Sequence, residues 1–271
     1  MASIDDRRRE FRRLHQTGCF VLPNPWDVGS ARMLASLGFP ALATTSAGFA
    51  WSQGRADNHV TLDQTLDHLR VMAAAVDLPL NADFEGGFAV DPAGVGAHVL
   101  RAVGTGIAGL SIEDSTGDPF QPLYDFDLAV ARVRAARTAI DASGTGVVLT
   151  GRSEGYIRGR PDLTETIRRL RAYAEAGADC LYAPGLPSRS TIAAVVSAVA
   201  PLPVNVLIGA EGASVADLAA MGVRRISVGG ALARAAWAGF LDAAREIATQ
   251  GTFTALSRGT PGADLNRAFA E

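Results

Sequence analysis

The sequence predicts an α/β fold, a single (β/α)8 TIM barrel over residues 1–271, and three observations carry that prediction. A unit of helix, glycine, short link and β-prone run recurs along the chain. Eight such runs fit within 271 residues. Acidic residues end two successive runs, and an arginine ends the next. Strict alternation of strands and helices implies a parallel sheet, and eight units in this length imply a closed barrel. A doubly wound open sheet is the alternative that the same alternation leaves open. No linker or low-complexity run divides the chain.

Taken in order, Ile4–Gln16 reads as an N-terminal surface helix whose arginines form a solvated face. Strands are expected near Cys19–Pro23, Ala41–Thr45, Leu80–Asp83, Gly109–Glu113, Gly146–Arg152, Asp179–Ala183, Val204–Ile208 and Arg225–Val228. Gly38, Gly106, Gly177 and Gly222 each precede one of these runs. A glycine just past a helix supplies the left-handed cap at little steric cost. Ile192, Val195, Val196 and Val199 fall at helical spacing and form one apolar stripe. Ser214 and Asp217 form a helix-start capping pair. The helix Ala231–Ile247, with Trp237, Phe240 and Leu241, suits either a final barrel helix or a subunit contact. The tail beyond Ala248 carries a last apolar patch of Leu256, Leu265 and Phe269, expected to pack on a neighbouring subunit.

Composition excludes several chemistries. A formal charge of −3 gives no reason to expect nucleic acid or an anionic membrane as partner. No apolar h-region precedes Pro23 and no apolar stretch is long enough to span a bilayer, so neither leader nor anchor is expected. Cys19 and Cys180 lie in apolar surroundings and read as structural thiols of a cytoplasmic protein. All 25 basic residues are arginine. Without lysine there is no Schiff-base aldolase, no pyridoxal-phosphate enzyme and no Walker-A loop.

In a barrel of this kind the active site lies at the C-terminal ends of the strands. The third run ends Asn81-Ala-Asp83-Phe-Glu85-Gly-Gly87, the fourth Ser111-Ile-Glu113-Asp114, the fifth Thr150-Gly-Arg152-Ser-Glu154, and the seventh carries Asn205. An extended backbone would place Asp83 and Glu85 on one face. Carboxylates crowded in a barrel mouth repel unless a cation or proton neutralises them. Hard oxygen donors suit Mg²⁺ or Mn²⁺, and no His/Cys constellation suggests zinc. The bland reading is that each acid caps the next helix. Ser227-Val-Gly-Gly230 stands where barrels bind phosphate, and also reads as a tight glycine turn.

At these residues the sequence resembles the isocitrate lyase/phosphoenolpyruvate mutase superfamily. The segments are Asn24-Pro-Trp-Asp27, Ser30-Ala-Arg32, Gly38–Gly48, Asn81–Gly87, Ser111–Asp114 and Tyr173–Asp179, between about Phe20 and Gly230. The resemblance implies that Thr45, Ser46 and Ala47 hold a substrate carboxylate. It places Asp57 in the next loop, near the metal and the reacting group. Asp83 becomes the main metal-site acid, Glu85 stands where many members have a second Asp, and Glu113 acts partly through water. Arg152 pairs with the substrate, and Asn205 matches a seventh-strand asparagine of several lyases. It also implies a dimer or tetramer with exchanged C-terminal helices.

Two departures set the chain apart. The lyases place a cysteine-bearing loop after the fourth strand, whose thiol protonates the product enolate. Here that loop reads Ser115–Tyr124 and has no Cys, Lys or His. Pro184 falls where the lyases have Glu and the mutase has His. Both weigh against isocitrate or 2-methylisocitrate cleavage and against phosphonate mutase activity. The short-loop pattern resembles a branch associated with 2-oxo acids. The implied function is a Mg²⁺-dependent lyase or decarboxylase of a small 2-oxo- or 2-hydroxy-carboxylate, acting through a pyruvate-like enolate. Asp57 takes a hydroxyl proton, Arg152 and Glu113 complete the catalytic set, and solvent or Tyr124 reprotonates. A non-catalytic 2-oxo-acid binder and a mutase or hydrolase-type reaction are the alternatives.

Overall fold

The computed structural model describes residues 2–209 and 213–270. Eight strands are present: β1 Phe20–Leu22, β2 Leu42–Ala43, β3 Leu80–Asp83, β4 Gly109–Glu113, β5 Val148–Arg152, β6 Cys180–Tyr182, β7 Val204–Leu207 and β8 Arg225–Ser227. Every pairing is parallel and follows chain order from β2 round to β8, which pairs with β1. The β1–β2 seam is closed by the backbone bond Ala43 N to Pro23 O (3.0 Å) and by Asn24 Nδ2 donating to Thr44 O (3.0 Å). The sheet is therefore a nearly closed barrel, and the open-sheet alternative falls away.

Helices α1 Ile4–Leu14, α2 Val28–Ser36, α3 Ser46–Ser52, α4 Leu62–Ala75, α5 Pro92–Val103, α6 Phe126–Ala142, α7 Leu163–Glu175, α8 Arg189–Val199, α9 Val215–Ala220, α10 Ala231–Gln250 and α11 Gly262–Phe269 accompany it. Local chemistry sets their ends. Ser214 and Asp217 form the reciprocal cap of α9. Gly177 ends the turn after α7 at φ +102°, where a Cβ would also lie 2.4 Å from Arg137 Cγ. The α8 stripe turns Ile192, Val195 and Val199 into the core, where the burial of each such side chain contributes about 1.5–3 kcal/mol.

The N-terminal helix corrects the sequence reading. Its arginines are not a uniformly solvated face, because α1 docks on main-chain carbonyls of the barrel. Arg8 is buried, donating through Nε to Ile107 O (3.0 Å) and through Nη2 to Val103 O (2.9 Å). Arg7 donates to Ala73 O and Val76 O, and Arg12 to Gly146 O. These guanidinium forks satisfy carbonyls that helix and turn ends leave open. Between them Phe11 is fully buried, edge-on to His15 and Phe20.

At the other terminus α10 buries only Ala233, and Trp237, Phe240, Leu241 and Ile247 are exposed. α11 returns to pack on α2, with Phe269 beside Gly29. Cys180 is buried and Cys19 half-buried, both free, and burial raises both thiols. Among the described residues no helix is long and apolar enough to cross a membrane.

Candidate active site

Main-chain bonds extend the barrel one step beyond its strands and fix the site. Glu113 N donates to Glu85 O, Asp114 N to Arg152 O, and Ser153 N to Tyr182 O. The ends of β3, β4, β5 and β6 are thereby tied in sequence around the mouth. A cavity of about 250 Å³ opens there, and its lining includes Thr45, Ser46, Ala47, Asp57, Asp83, Arg152 and Asn205. The structure brings these expected residues together. A second cavity of about 290 Å³ is lined by Glu85, Glu113, Asn58 and Tyr124.

Asp83 is the hub. Its Oδ2 accepts from Ser46 N (3.0 Å) and Ser46 Oγ (3.0 Å), and its Oδ1 lies 3.3 Å from Arg152 Nη1. The β3 end is held in turn by Asp83 N donating to Thr44 Oγ1 (2.9 Å). Thr45 caps α3 by accepting from Gly48 N, so the Ser46 amide sits at a helix start aimed at the carboxylate. Ser46 Oγ also reaches Asp57 Oδ1 at 3.4 Å.

Arg152 gathers the acids. Its Nη1 is 3.2 Å from Glu113 Oε2, and its Nε pairs with Glu154, which is fully buried. Arg158 meets Glu154 at 3.3 Å and Glu113 at 3.7 Å. Burial opposes the Arg152 charge, but Glu154, Glu113 and Asp83 more than offset it and hold the guanidinium protonated. Burial raises the Glu113 carboxyl and the Arg152 charge opposes that rise. Asp57 has an exposed surface, yet desolvation of its carboxyl and the Asp83 charge raise it.

Glu85 departs from the extended geometry expected of it. β3 stops at Asp83, and Glu85 turns to φ +48°, followed by Gly87 at +76° and Phe88 at +58°. Arg132 of α6 holds this turn by donating to Gly86 O, Ala89 O and Val90 O. A positive φ is unfavourable for the side chains of Glu85 and Phe88, and the Arg132 fork compensates. Glu85 thus faces the second cavity. Burial, then the charges of Asp83 and Asp57, push its carboxyl up to about 8. Its Oε1 is buried with no hydrogen-bond partner.

Among the described residues no group of three or more Asp, Glu, His or Cys side chains is placed to hold a metal ion by itself. The Arg152 guanidinium lies between Asp83 and Glu113 instead. That arrangement is compatible with Mg²⁺, which keeps waters and takes one or two carboxylates plus substrate oxygens. The fit is also chemical. Asp57, Asp83, Glu85, Glu113 and Glu154 outnumber Arg152 and Arg158, and burial first, then the Asp83 charge, raises the Asp57 and Glu85 carboxyls.

Sequence reasoning missed several residues. Glu154 follows Arg152 by two positions, which was the available signal. Asp114 accepts from Glu154 N (2.8 Å), Tyr173 Oη (2.6 Å) and Arg169 Nη1 (3.1 Å). Tyr182, Arg225, Ser227 and Arg234 also line the first cavity. Pro184 is not among its lining residues; Tyr182 is the β6 side chain there. The loop Ser115–Tyr124 folds on itself through the Ser115–Leu123 bridge. Tyr124 lies on Arg132, 3.9 Å from guanidinium carbon to ring centroid, rather than in the first cavity.

Residues 11–248 match the family model for phosphoenolpyruvate phosphomutase. The chain belongs to that family. An oxaloacetate decarboxylase of Bradyrhizobium diazoefficiens is 30% identical over 204 residues, covering 71% of this chain and 68% of its own. A solved structure from Burkholderia cenocepacia J2315, described as a lyase/mutase candidate, is 49% identical with TM-score 0.95, covering 99% and 97% of the two chains. A 2,3-dimethylmalate lyase of the phosphoenolpyruvate mutase/isocitrate lyase superfamily is 27% identical with TM-score 0.87, covering 99% and 95%. The phosphomutase-family chain is thus an enzyme of the lyase-like kind that its motifs imply.

Proposed function

We propose that the protein is a divalent-metal-dependent carbon–carbon lyase or decarboxylase of a small 2-oxo- or 2-hydroxy-dicarboxylate, with oxaloacetate as the first substrate to test. The observation that carries the reading is the Ser46–Asp83–Arg152 constellation on the wall of the 250 Å³ cavity. It combines amide and hydroxyl donors, hard oxygen ligands and a planar carboxylate-binding fork. The oxaloacetate decarboxylase and dimethylmalate lyase relatives support the same substrate class.

Asp83 would hold Mg²⁺, with Glu113 and Glu85 as further oxygen donors through water. The cation supplies a Lewis acid that stabilises the negative charge developing on a 2-oxo group. Arg152, with Nε and Nη1 engaged by Glu154, Asp83 and Glu113, binds a substrate carboxylate through Nη2. The Ala47 amide at the start of α3 holds the other end of the substrate, while the Ser46 amide fixes Asp83. Arg234 of α10, at the same cavity, suits the second carboxylate of a dicarboxylate. Asp57, raised and next to Ser46 Oγ, takes the hydroxyl proton when the substrate is a 2-hydroxy acid. Without lysine, the electron pair of the broken bond is held as an enolate rather than an enamine.

The enzyme is proposed to be cytoplasmic and a homo-oligomer. The exposed α10 face, with Trp237 and Phe240 packed edge-on, supports a subunit contact there.

The test is turnover with Mg²⁺ across oxaloacetate, 2,3-dimethylmalate, 2-methylisocitrate and phosphonopyruvate. Pyruvate release above the metal-only background, abolished by EDTA and by Asp83→Ala, is expected. Tight binding of oxalate without turnover on any substrate refutes the enzyme and leaves a 2-oxo-acid binder.

A further inference from the structure

The reaction proposed above generates an enolate carbon that must receive a proton, and the short loop Ser115–Tyr124 holds no thiol to give it. Tyr124 is engaged with Arg132 beside the second cavity. A different group stands on the wall of the first. Tyr182, at the end of β6, is buried and lines that cavity. The Arg152 guanidinium lies over its ring at 5.1 Å from the centroid.

The hydrogen bonds on the strands next to Tyr182 run in one direction. They start at Arg225, whose guanidinium is 2% exposed and, among the described residues, has no carboxylate at ion-pair distance. Arginine only donates. Its Nε donates to Asn205 Oδ1 at 2.9 Å, its Nη2 to Thr150 Oγ1 at 3.0 Å, and its Nη1 meets His15 Nε2 at 3.2 Å. The bond from Nε fixes the amide orientation of Asn205. Asn205 Nδ2 therefore donates, to Ser227 Oγ at 2.9 Å. Ser227 then has its own hydrogen to give, and it lines the same cavity as Tyr182. Each donor in such a chain polarises the next. The chain ends at the Ser227 hydroxyl, and Tyr182 stands on the same cavity wall with its own hydroxyl hydrogen.

We propose that Tyr182 is the acid that protonates the enolate carbon, the role taken in the long-loop lyases by a loop cysteine. The inference rests on the function proposed above. The carbon–carbon bond breaks heterolytically and its electron pair becomes the enolate. A C–H bond then forms as the Tyr182 O–H bond breaks, leaving a phenolate. Ser227 donates to that phenolate and the Arg152 charge lies over its ring until water at the cavity mouth returns the proton. Before the step the group is in its acid form, because burial, opposed by the Arg152 charge, pushes the phenol up to about 12. A residue that delivers a proton in this way contributes on the order of 100-fold or more.

The experiment uses the full chain with Mg²⁺. Pyruvate release from oxaloacetate is followed together with ¹H NMR of the exchange of pyruvate methyl hydrogens in D₂O, and oxalate affinity is measured by calorimetry. Tyr182→Phe is expected to slow turnover and exchange by about 100-fold while oxalate binds within ~3-fold of wild type. Ser227→Ala, which leaves the phenol in place, is expected to lose roughly 3- to 10-fold. Exchange in Tyr182→Phe within ~3-fold of wild type overturns the proposal, and so does a parallel collapse of oxalate binding, which makes Tyr182 a binding group. A wild-type protein inert on the whole panel refutes the function itself, a different result from an active wild type indifferent to Tyr182→Phe.

Discussion

Asp114 offers the sharpest test of how the site is held, because it touches neither cavity yet connects three elements. Its carboxylate is 2% exposed. One oxygen accepts from Glu154 N, and the other from Tyr173 Oη and Arg169 Nη1. Asp114→Ala strands all three donors. Tyr173 is fully buried and has no other hydroxyl partner among the described residues, and Arg169 keeps only Glu165. Removing one partner of a buried ion pair costs about 3–5 kcal/mol, and a stranded buried donor about 1–3 kcal/mol. These overlap in one network, so about 4 kcal/mol is the working figure for the whole. At roughly 2–4 °C per kcal/mol for a chain of this size, Tm should fall by about 8–16 °C. Asp114→Asn keeps an acceptor for Glu154 N and should lose less. The assay is thermal unfolding followed by circular dichroism, with oxaloacetate kinetics alongside. KM should rise, since Glu154 positions Arg152 and is no longer anchored. An Asp114→Ala protein melting within ~2 °C of wild type would refute the claim that this network fixes the β4 and β5 ends.

Three further outcomes are expected. His15 is lowered to about 3, first by burial and then by the Arg225 charge. Its folded value lies below its unfolded 6.5, so the unfolded chain binds the extra proton and stability falls as pH drops from about 6.5 towards 3, by at most about 1.4 kcal/mol per pH unit. Acid-unfolding curves should flatten in that window for His15→Gln, and unchanged curves would remove His15 from the account. Glu85 is raised to about 8, so most of it is protonated at pH 7 in the metal-free protein. Mg²⁺ binding should then release a proton, seen by calorimetry in buffers of different ionisation enthalpy, and should tighten up to about pH 8; binding with no proton release in wild type contradicts the assignment. At Gly109 of β4 a Cβ would fall 2.5 Å from Phe11 Cε1 and 2.7 Å from Asn81 Oδ1. Gly109→Ala should push α1 off the barrel end at a cost of about 1–3 kcal/mol, read as a lower urea midpoint.

What was legible in the sequence was whatever repeats. All eight expected runs match their strands to within one or two residues, because a short apolar run between two helical segments, set off by glycine or proline, has few other ways to fold. The strand-end acids were legible for the same reason, since a barrel delivers strand ends to one face. Glu85 was misread because nothing in Asp-Phe-Glu-Gly-Gly announces where extension stops, and its left-handed turn depends on Arg132, 47 positions on. The α1 arginines were misread because a row of arginines looks the same whether it meets water or the carbonyls of distant helix ends. Tyr182 and Arg225 were invisible for a further reason: neither carries a local motif, and only the closed barrel turns them inward to one cavity. This divides the site in two. Its acidic half is written in local motifs at the ends of β3, β4 and β5. Its donor half is assembled from single residues on β6, β7 and β8, where one buried guanidinium sets the direction of the Asn205–Ser227 bond. A chain that has dispensed with the loop thiol needs a proton source fixed by the barrel itself, and that second half is where the barrel has one to offer.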